Sequence, residues 1–171
     1  MDVSYLDDED ECVTIEDPID LAEAILSSDS RFAIERGESG DLSFTFKAAW
    51  CQVTGFLGWR EELPAVLLTV AFDLSAEEEM RDKTARLVAM INENLWLGHF
   101  DMWSEDGSIV FRHSIPMVGR MELATGEIHA LLAATMDAAD RFYPAFEHLL
   151  RWGRTPEQAL EAAMFETAGE A

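Results

Sequence analysis

Three stretches of the sequence alternate apolar and polar residues at the period of a β-strand. In residues 42–47 the apolar side chains of Leu42, Phe44 and Phe46 alternate with polar ones, and residues 99–104 and 109–115 alternate in the same way. Because successive side chains of a strand point to opposite faces of a sheet, this period predicts strands that bury one face. The connections between consecutive runs are short, which favours antiparallel pairing.

Further strand-like runs surround these. Residues 50–58 form one, and Phe32 and Ile34 alternate just before a turn at residues 37–41. In residues 64–73 both alternating faces are apolar or small. That composition predicts a central strand covered on both sides.

The clearest hairpin signal is Asp106–Gly107 between residues 99–104 and 109–115. A tight turn there places Ser104 opposite Ile109. In that register the larger apolar side chains share one face, and two cross-strand pairs of residues lie on the other face. The shared apolar face holds Phe100, Met102, Ile109 and Phe111, while Asp101 lies opposite Arg112 and Trp103 opposite Val110.

Two helices are predicted by their N-terminal signals. Asp17–Pro18 combines a capping side chain with a proline suited to the first helical position. Ser75 with Glu78 three residues later reads as a capping box, and the apolar spacing after it predicts a helix to about Trp96.

A long amphipathic stripe predicts a helix over about residues 126–151. Pro144 lies inside it and predicts a kink or a break, because proline donates no backbone hydrogen bond and crowds the preceding turn. A second capping box at Thr155–Gln158 predicts a short last helix to about Phe165.

The order of these elements predicts an α+β fold. It consists of an antiparallel sheet of about five strands flanked by helices, in the order α-β-β-β-α-β-β-α-α. A chain of 171 residues fits one domain, assigned here to residues 17–171. Residues 1–16 carry seven acidic residues and no base, which predicts a flexible acidic tail.

The charge excludes several partners. The chain has 34 acidic residues against 12 Lys and Arg, a formal net charge of -22. Such a field repels nucleic-acid phosphates and anionic membranes, so neither is an expected partner. The first residues lack the pattern of a signal peptide, and the expected location is the cytoplasm. Cys12 and Cys51 are then expected to be two reduced thiols, with a disulfide between them left open.

No catalytic signature is present among the known phosphate-binding, nucleophile or zinc motifs. His99 and His113 lie near each other in the hairpin, but the register points them to opposite faces, which argues against a shared metal. The pairs Glu61–Glu62 and Glu105–Asp106 read as solvated turns. We therefore expect no catalytic residue, no cofactor and no metal.

The five tryptophans fall at the ends of predicted elements, several beside charged residues. They are Trp50, Trp59, Trp96, Trp103 and Trp152. Two interpretations apply: they anchor a partner, or they close the edges of the core. The second is favoured.

Several segments together resemble the YbjN domain family of bacterial proteins, which carries the description of a sensory-transduction regulator. The resemblance rests on residues 92–103, 111–113, 140–146 and 167–171, with residues 59–62 and 71–73 fitting the same pattern. It covers about residues 17–171. It implies a fold similar to type III secretion chaperones, and it supplies no catalytic residues.

The expected function is a non-enzymatic cytoplasmic protein-interaction or regulatory module. Its expected partner is another protein or a client, and a homodimer is one form that the module could take. The residues singled out for partner contact are Trp59, Arg60, His99, Asp101, Trp103, Arg112 and Tyr143. The alternatives are a small-molecule-binding domain or enzyme, and a secretion-chaperone-like protein that holds a client. A ligand would be expected between the Asp101–Arg112 face and the Tyr143–Pro144 segment.

Overall fold

The computed structural model describes residues 17–60, 62, 64–120 and 122–168, and the tail predicted for residues 1–16 lies outside them. The helices are α1 (Pro18–Ser27), α2 (Arg81–Asn92), α3 (Thr125–Leu150) and α4 (Pro156–Ala168). The strands are β1 (Phe32–Arg36), β2 (Leu42–Lys47), β3 (Gln52–Arg60), β4 (Ala65–Ser75), β5 (His99–Met102) and β6 (Ser108–Pro116). They form one antiparallel sheet in the order β1-β2-β3-β4-β6-β5.

The predicted α+β fold is confirmed, with six strands in place of about five. The additional strand is β1, whose five residues contain only the two alternating apolar side chains of Phe32 and Ile34. So short a run gives a weak pattern by itself. It becomes a strand because its whole length pairs with β2.

One face of the sheet, the inner face, carries the core. A row of paired residues crosses it from edge to edge: Ile34, Phe44, Gly55, Val70, Phe111 and Phe100. The Phe44 ring lies over Gly55, where a Cβ atom would come within 2.1 Å of the ring carbon Cζ. Glycine is therefore required at this position by a close approach of an aromatic ring.

Helix α3 covers this face through aromatic packing. The Phe100 ring lies 5.2 Å from the Phe146 ring and 6.1 Å from the Phe142 ring, and 5.4 Å from that of Phe111. All four rings are buried. Burial of each such side chain stabilises the fold by about 1.5–3 kcal/mol, so this cluster is a main contribution to stability.

The helices cover only the inner face. Val66, Leu68 and Val70 of β4 belong to the core, whereas Leu67, Thr69 and Ala71 on its other face remain partly exposed. The prediction of a central strand is confirmed, since β4 lies between β3 and β6. The prediction that both of its faces are covered is wrong, because no described helix packs on the second face.

The start and end of α2 differ from the prediction. Ser75 is the last residue of β4 and pairs with Ser108, so it does not cap the helix, and a 3-10 turn at Glu78–Met80 precedes α2. The helix ends at Asn92 and not near Trp96. The Asn92 side chain accepts a hydrogen bond from the Phe100 N–H at 2.8 Å and donates one to the Phe100 carbonyl at 3.0 Å. The helix thus ends where its last side chain binds strand β5.

The hairpin has the predicted shared face but a different register. Phe100 pairs with Phe111, and Asp101 pairs with Val110, not with Arg112. The connection is longer than a tight turn, since the Gly107 N–H donates to the Trp103 carbonyl at 2.8 Å. Gly107 has a φ of +72°, and a Cβ there would lie 2.1 Å from the Ala76 carbonyl oxygen. The wider loop shifts the pairing by two residues, which preserves the face of every side chain.

Helix α3 is continuous from Thr125 to Leu150, so of the kink or break predicted at Pro144 the break is wrong. Proline leaves the carbonyl of the residue four positions earlier, Asp140, without its helical donor. The indole Nε1–H of Trp50 donates to that carbonyl at 2.9 Å, and the Ala49 N–H donates to the Asp140 carboxylate at 2.8 Å. The loop between β2 and β3 therefore supplies the donor that the proline lacks.

The short last helix predicted after Thr155 is confirmed. The Gln158 N–H donates to the Thr155 hydroxyl, and the Gln158 side-chain oxygen accepts from the Thr155 N–H. Among the described residues, no helix has both the length and the apolarity required to cross a bilayer.

Trp50 and Pro144 should be energetically coupled. We expect Trp50→Phe to lower the free energy of unfolding, with about 0.5–1.5 kcal/mol of the loss due to the missing hydrogen bond. In the Pro144→Ala background the alanine N–H is available to the Asp140 carbonyl, so the same substitution should cost less by about that amount. A double-mutant cycle measured by urea unfolding gives the coupling energy, and additive effects would contradict the compensating role of Trp50.

Candidate functional site

The described helices leave the outer face of the sheet uncovered. Two rows of paired residues cross it. The first row consists of Glu35, Ser43, Phe56, Thr69, Arg112 and His99, and the second of Ala33, Thr45, Thr54, Ala71, Val110 and Asp101. At about 4.8 Å between strands, these rows extend about 24 Å across the sheet.

The middle of this outer face is apolar or uncharged. Phe56 is 47% exposed, whereas its neighbours on the inner face, Gly55 and Leu57, are buried. Leu67, Thr69 and Ala71 follow Phe56 across β4 and are partly exposed. An exposed phenylalanine surrounded by small and uncharged side chains is a feature of contact surfaces more than of solvated ones.

The charges on the outer face are nearly balanced, in contrast to the chain as a whole. Arg112 Nη1 lies 3.3 Å from Asp101 Oδ2, and Arg60 Nη1 lies 3.1 Å from Asp41 Oδ1. Lys47 and Glu35 lie on the same face. A chain with a net charge of -22 therefore presents a sheet face with about as many cations as carboxylates. The repulsion that its acidic surfaces exert on other proteins is weakest here.

The structure places five of the seven residues predicted for partner contact on the outer face or directly beside it, and three of them are neighbours. His99, Asp101 and Arg112 are neighbours on the outer face of β5 and β6, and Arg60 lies on the same face at the end of β3. Trp103 directly follows β5 in the hairpin loop and is 48% exposed.

The other two predicted residues lie elsewhere. Trp59 pairs with Val66 on the inner face and packs against the core. Tyr143 is buried on α3 beside Phe72. The Asp101–Arg112 pair and Tyr143 therefore lie on opposite sides of the sheet. The expected ligand groove between them does not exist.

Tyr143 belongs to a polar contact inside the helix layer. Its hydroxyl donates to Asp73 Oδ1 at 2.8 Å, and burial together with that carboxylate raises the pKa of Tyr143. Burial raises the pKa of the nearby Cys51 thiol to about 12, and the charges of Asp73, Asp140 and Glu147 add to the effect. Both groups stay protonated at neutral pH. This arrangement suits a structural contact and not a nucleophile.

The two hairpin histidines lie on opposite faces, as predicted. His99 pairs with Arg112 on the outer face, while His113 pairs with Leu68 on the inner face. Partial burial, and then the charge of His99, lower the pKa of His113. Within the described ranges, no three potential ligands among His, Cys, Asp and Glu are grouped to hold a metal ion.

The tryptophans divide between the two interpretations. Trp59 packs on the core, and Trp50 holds α3. Trp152 is more than half exposed and lies 4.4 Å from the His148 ring. Trp96 is 99% exposed, so for this residue the favoured interpretation, closing the core, is wrong.

Sequence reasoning missed Phe56 and Leu67 as candidate contact residues. Leu67 was assigned to a covered face, and Phe56 lay in a run whose alternation is interrupted by Gly55 and Gly58. The signal that could have identified Phe56 is Gly58, two residues further along the strand and therefore on the same face. A glycine there gives the Phe56 ring no neighbouring side chain on that side.

Comparison with known proteins gives a family match and a likeness to a solved structure. The family model YbjN, described as "Putative bacterial sensory transduction regulator", matches residues 18–148. No curated protein matches the sequence significantly. The crystal structure of the ExsC–ExsE complex is similar with a TM-score of 0.47 and 19% identity, over 71% of this chain and 86% of that chain. A TM-score below 0.5 is too low to transfer a partner or a function.

The Cys51 thiol should be slow to alkylate. With a pKa of about 12, its thiolate fraction at pH 8 is far smaller than that of a free cysteine, whose pKa is about 8.5. In a Cys12→Ser variant we expect iodoacetamide to modify Cys51 at least about 100-fold more slowly than glutathione, with a rate that still rises at pH 9–10. Mass spectrometry of the Cys51 peptide gives the rate. Alkylation as fast as that of glutathione would contradict the protonated, partly buried thiol.

Proposed function

The chain belongs to the YbjN family, and on that premise we propose that it is a non-enzymatic cytoplasmic module that binds a protein partner through the outer face of its sheet. In this proposal its regulatory role consists of that contact. The single observation that supports it is the uncovered outer face, with Phe56 at its centre and balanced charges around it.

The size of the face suits a partner of ordinary dimensions. Six strands of about 20 Å present about 500 Å² of sheet. A stable interface needs about 800 Å² per partner, so the sheet supplies more than half of it. The adjoining hairpin loop, with Trp103 half exposed, extends the same surface. The uncharged centre and the ion pairs near its margin match the usual arrangement of an apolar core within a polar rim.

A homodimer is the symmetric version of this proposal. Two acidic copies repel each other over most of their surface and least over the outer face. Size-exclusion chromatography with light scattering distinguishes the versions. A dimer that Arg112→Glu dissociates assigns the face to a second copy, and a monomer leaves it to a different protein.

Charge reversal on the outer face should remove the partner. We expect Arg112→Glu and Phe56→Ser each to reduce recovery of a stoichiometric partner at least about tenfold in quantitative affinity purification, because both lie in the row that crosses the face. The matched control is Arg86→Glu, the same charge reversal at an exposed position on α2, where recovery should stay within twofold.

Melting temperatures of all three variants establish that they remain folded. Equal recovery with all three variants would overturn the assignment of the outer face. Depletion of any metabolite by the purified protein in a mixed pool would overturn the non-enzymatic part of the proposal.

A cavity favours small-molecule binding as the second candidate function. It has a volume of about 470 Å³ between α1 and α3, with apolar walls that include Ile25, Leu26 and Leu132. Arg31, Asp29 and His129 lie at its margin. This volume falls in the range of about 300–1,000 Å³ that ligand sites usually have.

A thermal-shift screen with metabolites tests this second candidate. Binding in the cavity should raise the melting temperature in a saturable manner, since a ligand that binds only the folded state stabilises it. Ala133→Phe places a ring in the cavity and should remove the shift. The absence of any saturable shift would exclude the cavity as a site for the compounds screened.

A further inference from the structure

The two edges of the sheet differ in how their outward backbone groups are satisfied. The edge strands are β1 and β5. In an antiparallel pair, alternate residues turn their N–H and carbonyl groups away from the neighbouring strand. An edge strand therefore offers a row of free donors and acceptors unless the protein covers them.

Side chains satisfy the β5 edge. The Trp103 N–H donates to the Ser108 carbonyl at 3.0 Å, so the outward residues of β5 are Phe100 and Met102. Both backbone groups of Phe100 bind the Asn92 amide, and the Met102 N–H donates to the Asp101 carboxylate at 2.9 Å. Another strand cannot pair with β5 without displacing these bonds.

The β1 edge has no comparable cover. The Gly37 N–H donates to the Asp41 carbonyl at 2.8 Å, so the outward residues of β1 are Phe32, Ile34 and Arg36. The Phe32 N–H donates to the Asp29 carbonyl at 3.1 Å. In the part of the chain that the structure describes, no side chain binds the N–H groups of Ile34 and Arg36, the next two outward donors of β1.

The core beside β1 is also incompletely covered. Phe32 and Ile34 face inward but are only partly buried, whereas Phe44 and Phe46 on β2 are 1% and 3% exposed. On α1, Leu21 and Ile25 are partly buried hydrophobic residues of the same layer. The cavity between α1 and α3 includes Phe32 in its wall, so it adjoins one end of this edge. A further strand with inward apolar side chains would bury this surface.

The surroundings of β1 carry more carboxylates than cations, because the two arginines near the strand are already paired with carboxylates. Arg31 binds Asp29, and Arg36 binds three carboxylates of the α1 segment at 2.6–3.3 Å. Glu35 and Glu38 have no such cation among the described residues. A segment carrying basic residues is therefore attracted to this edge.

The same charge disfavours two occupants from within the protein. Residues 1–16 precede α1 and carry seven carboxylates without a base, so they are repelled. A second copy would bring an edge with the same unpaired carboxylates, Glu35 and Glu38, against this one. Like charges facing each other across paired strands are destabilising.

We propose that the β1 edge is a binding site for an extended basic segment of a partner protein, which pairs with β1 as a seventh strand. Its backbone binds the outward groups of Ile34 and Arg36, and its alternate apolar side chains cover Phe32 and Ile34. The site consists of backbone groups in the plane of the sheet and of inward side chains, so it does not depend on the function proposed for the outer face.

A synthetic peptide tests the proposal on the full-length chain. The probe is a ten-residue peptide in which valine and lysine alternate. The matched control peptide has the same residues with alternate backbone nitrogens methylated, which keeps charge and side chains but prevents pairing on one edge. We expect the control to bind at least about tenfold more weakly in isothermal titration. On binding of the probe, amide exchange of Ile34 and Arg36 measured by NMR should slow at least about tenfold, while that of Phe100 stays unchanged.

A pair of protein variants separates strand addition from general attraction to an acidic surface. Ile34→Lys places a charge on the inward side of the edge, which opposes pairing, whereas Ala33→Lys adds the same charge on the exposed outer face. Binding should fall at least about tenfold in the first variant. It should change less than threefold in the second.

Each other outcome overturns the proposal. Equal binding of both peptides, or protection at sites other than Ile34 and Arg36, shows attraction without strand addition. If exchange of these two amides slows as the protein concentration rises, without any peptide, the β1 edges of two copies pair with each other. No binding at millimolar peptide excludes the site.

Discussion

Packing of the helices on one face of the sheet is the constraint on which the rest of the structure depends. Because side chains alternate along a strand, covering one face leaves every second residue for the other face. On the inner face, Phe111 of β6 and Phe100 of β5 pack against α3. Their neighbours along the same strands, Arg112 and Asp101, therefore point to the outer face. The core and the candidate contact surface are therefore set by one register, and a shift of one residue in any strand would exchange them.

The edges of the sheet show a second consequence of the same arrangement. A helix that crosses the end of a sheet can send one side chain to an edge strand, and Asn92 does so at the last turn of α2. The bonds to Phe100 fix the end of the helix and close the β5 edge together. Helix α1 has no equivalent residue on β1, since its polar side chains Asp20 and Glu23 bind the Arg36 guanidinium. Asn92 and, at Met102, the Asp101 carboxylate thus satisfy the outward groups of β5, whereas no described side chain binds the outward N–H groups of Ile34 and Arg36 on β1.

Alternation and turn signals predicted the architecture and most of the elements, and the exceptions have physical causes. Ser75 resembles a helix cap locally, but pairing with Ser108 keeps it in β4. The hairpin register depended on loop length, which Asp106–Gly107 alone does not determine. In the structure Gly107 closes a wider loop and lies directly against the Ala76 carbonyl. In the candidate site, Asp101, Arg112 and His99 were singled out on predicted strands, and Arg60 was singled out beside Trp59 in a predicted turn. Phe56 was missed because its exposure depends on which face the helices cover.

Pro144 shows how a local rule is reversed by a distant contact. A proline inside a helix costs one hydrogen bond and leaves a carbonyl unsatisfied, which is the usual reason for a break. In this chain Trp50, more than ninety positions earlier, donates to the carbonyl that Pro144 leaves, and the Ala49 N–H binds the same residue's carboxylate. Leaving a polar group without a partner costs more than making the bond contributes, so the loop and the helix stabilise each other. Sequence periodicity reports only the local cost, and the compensating donor is visible only when the β2–β3 loop lies against α3.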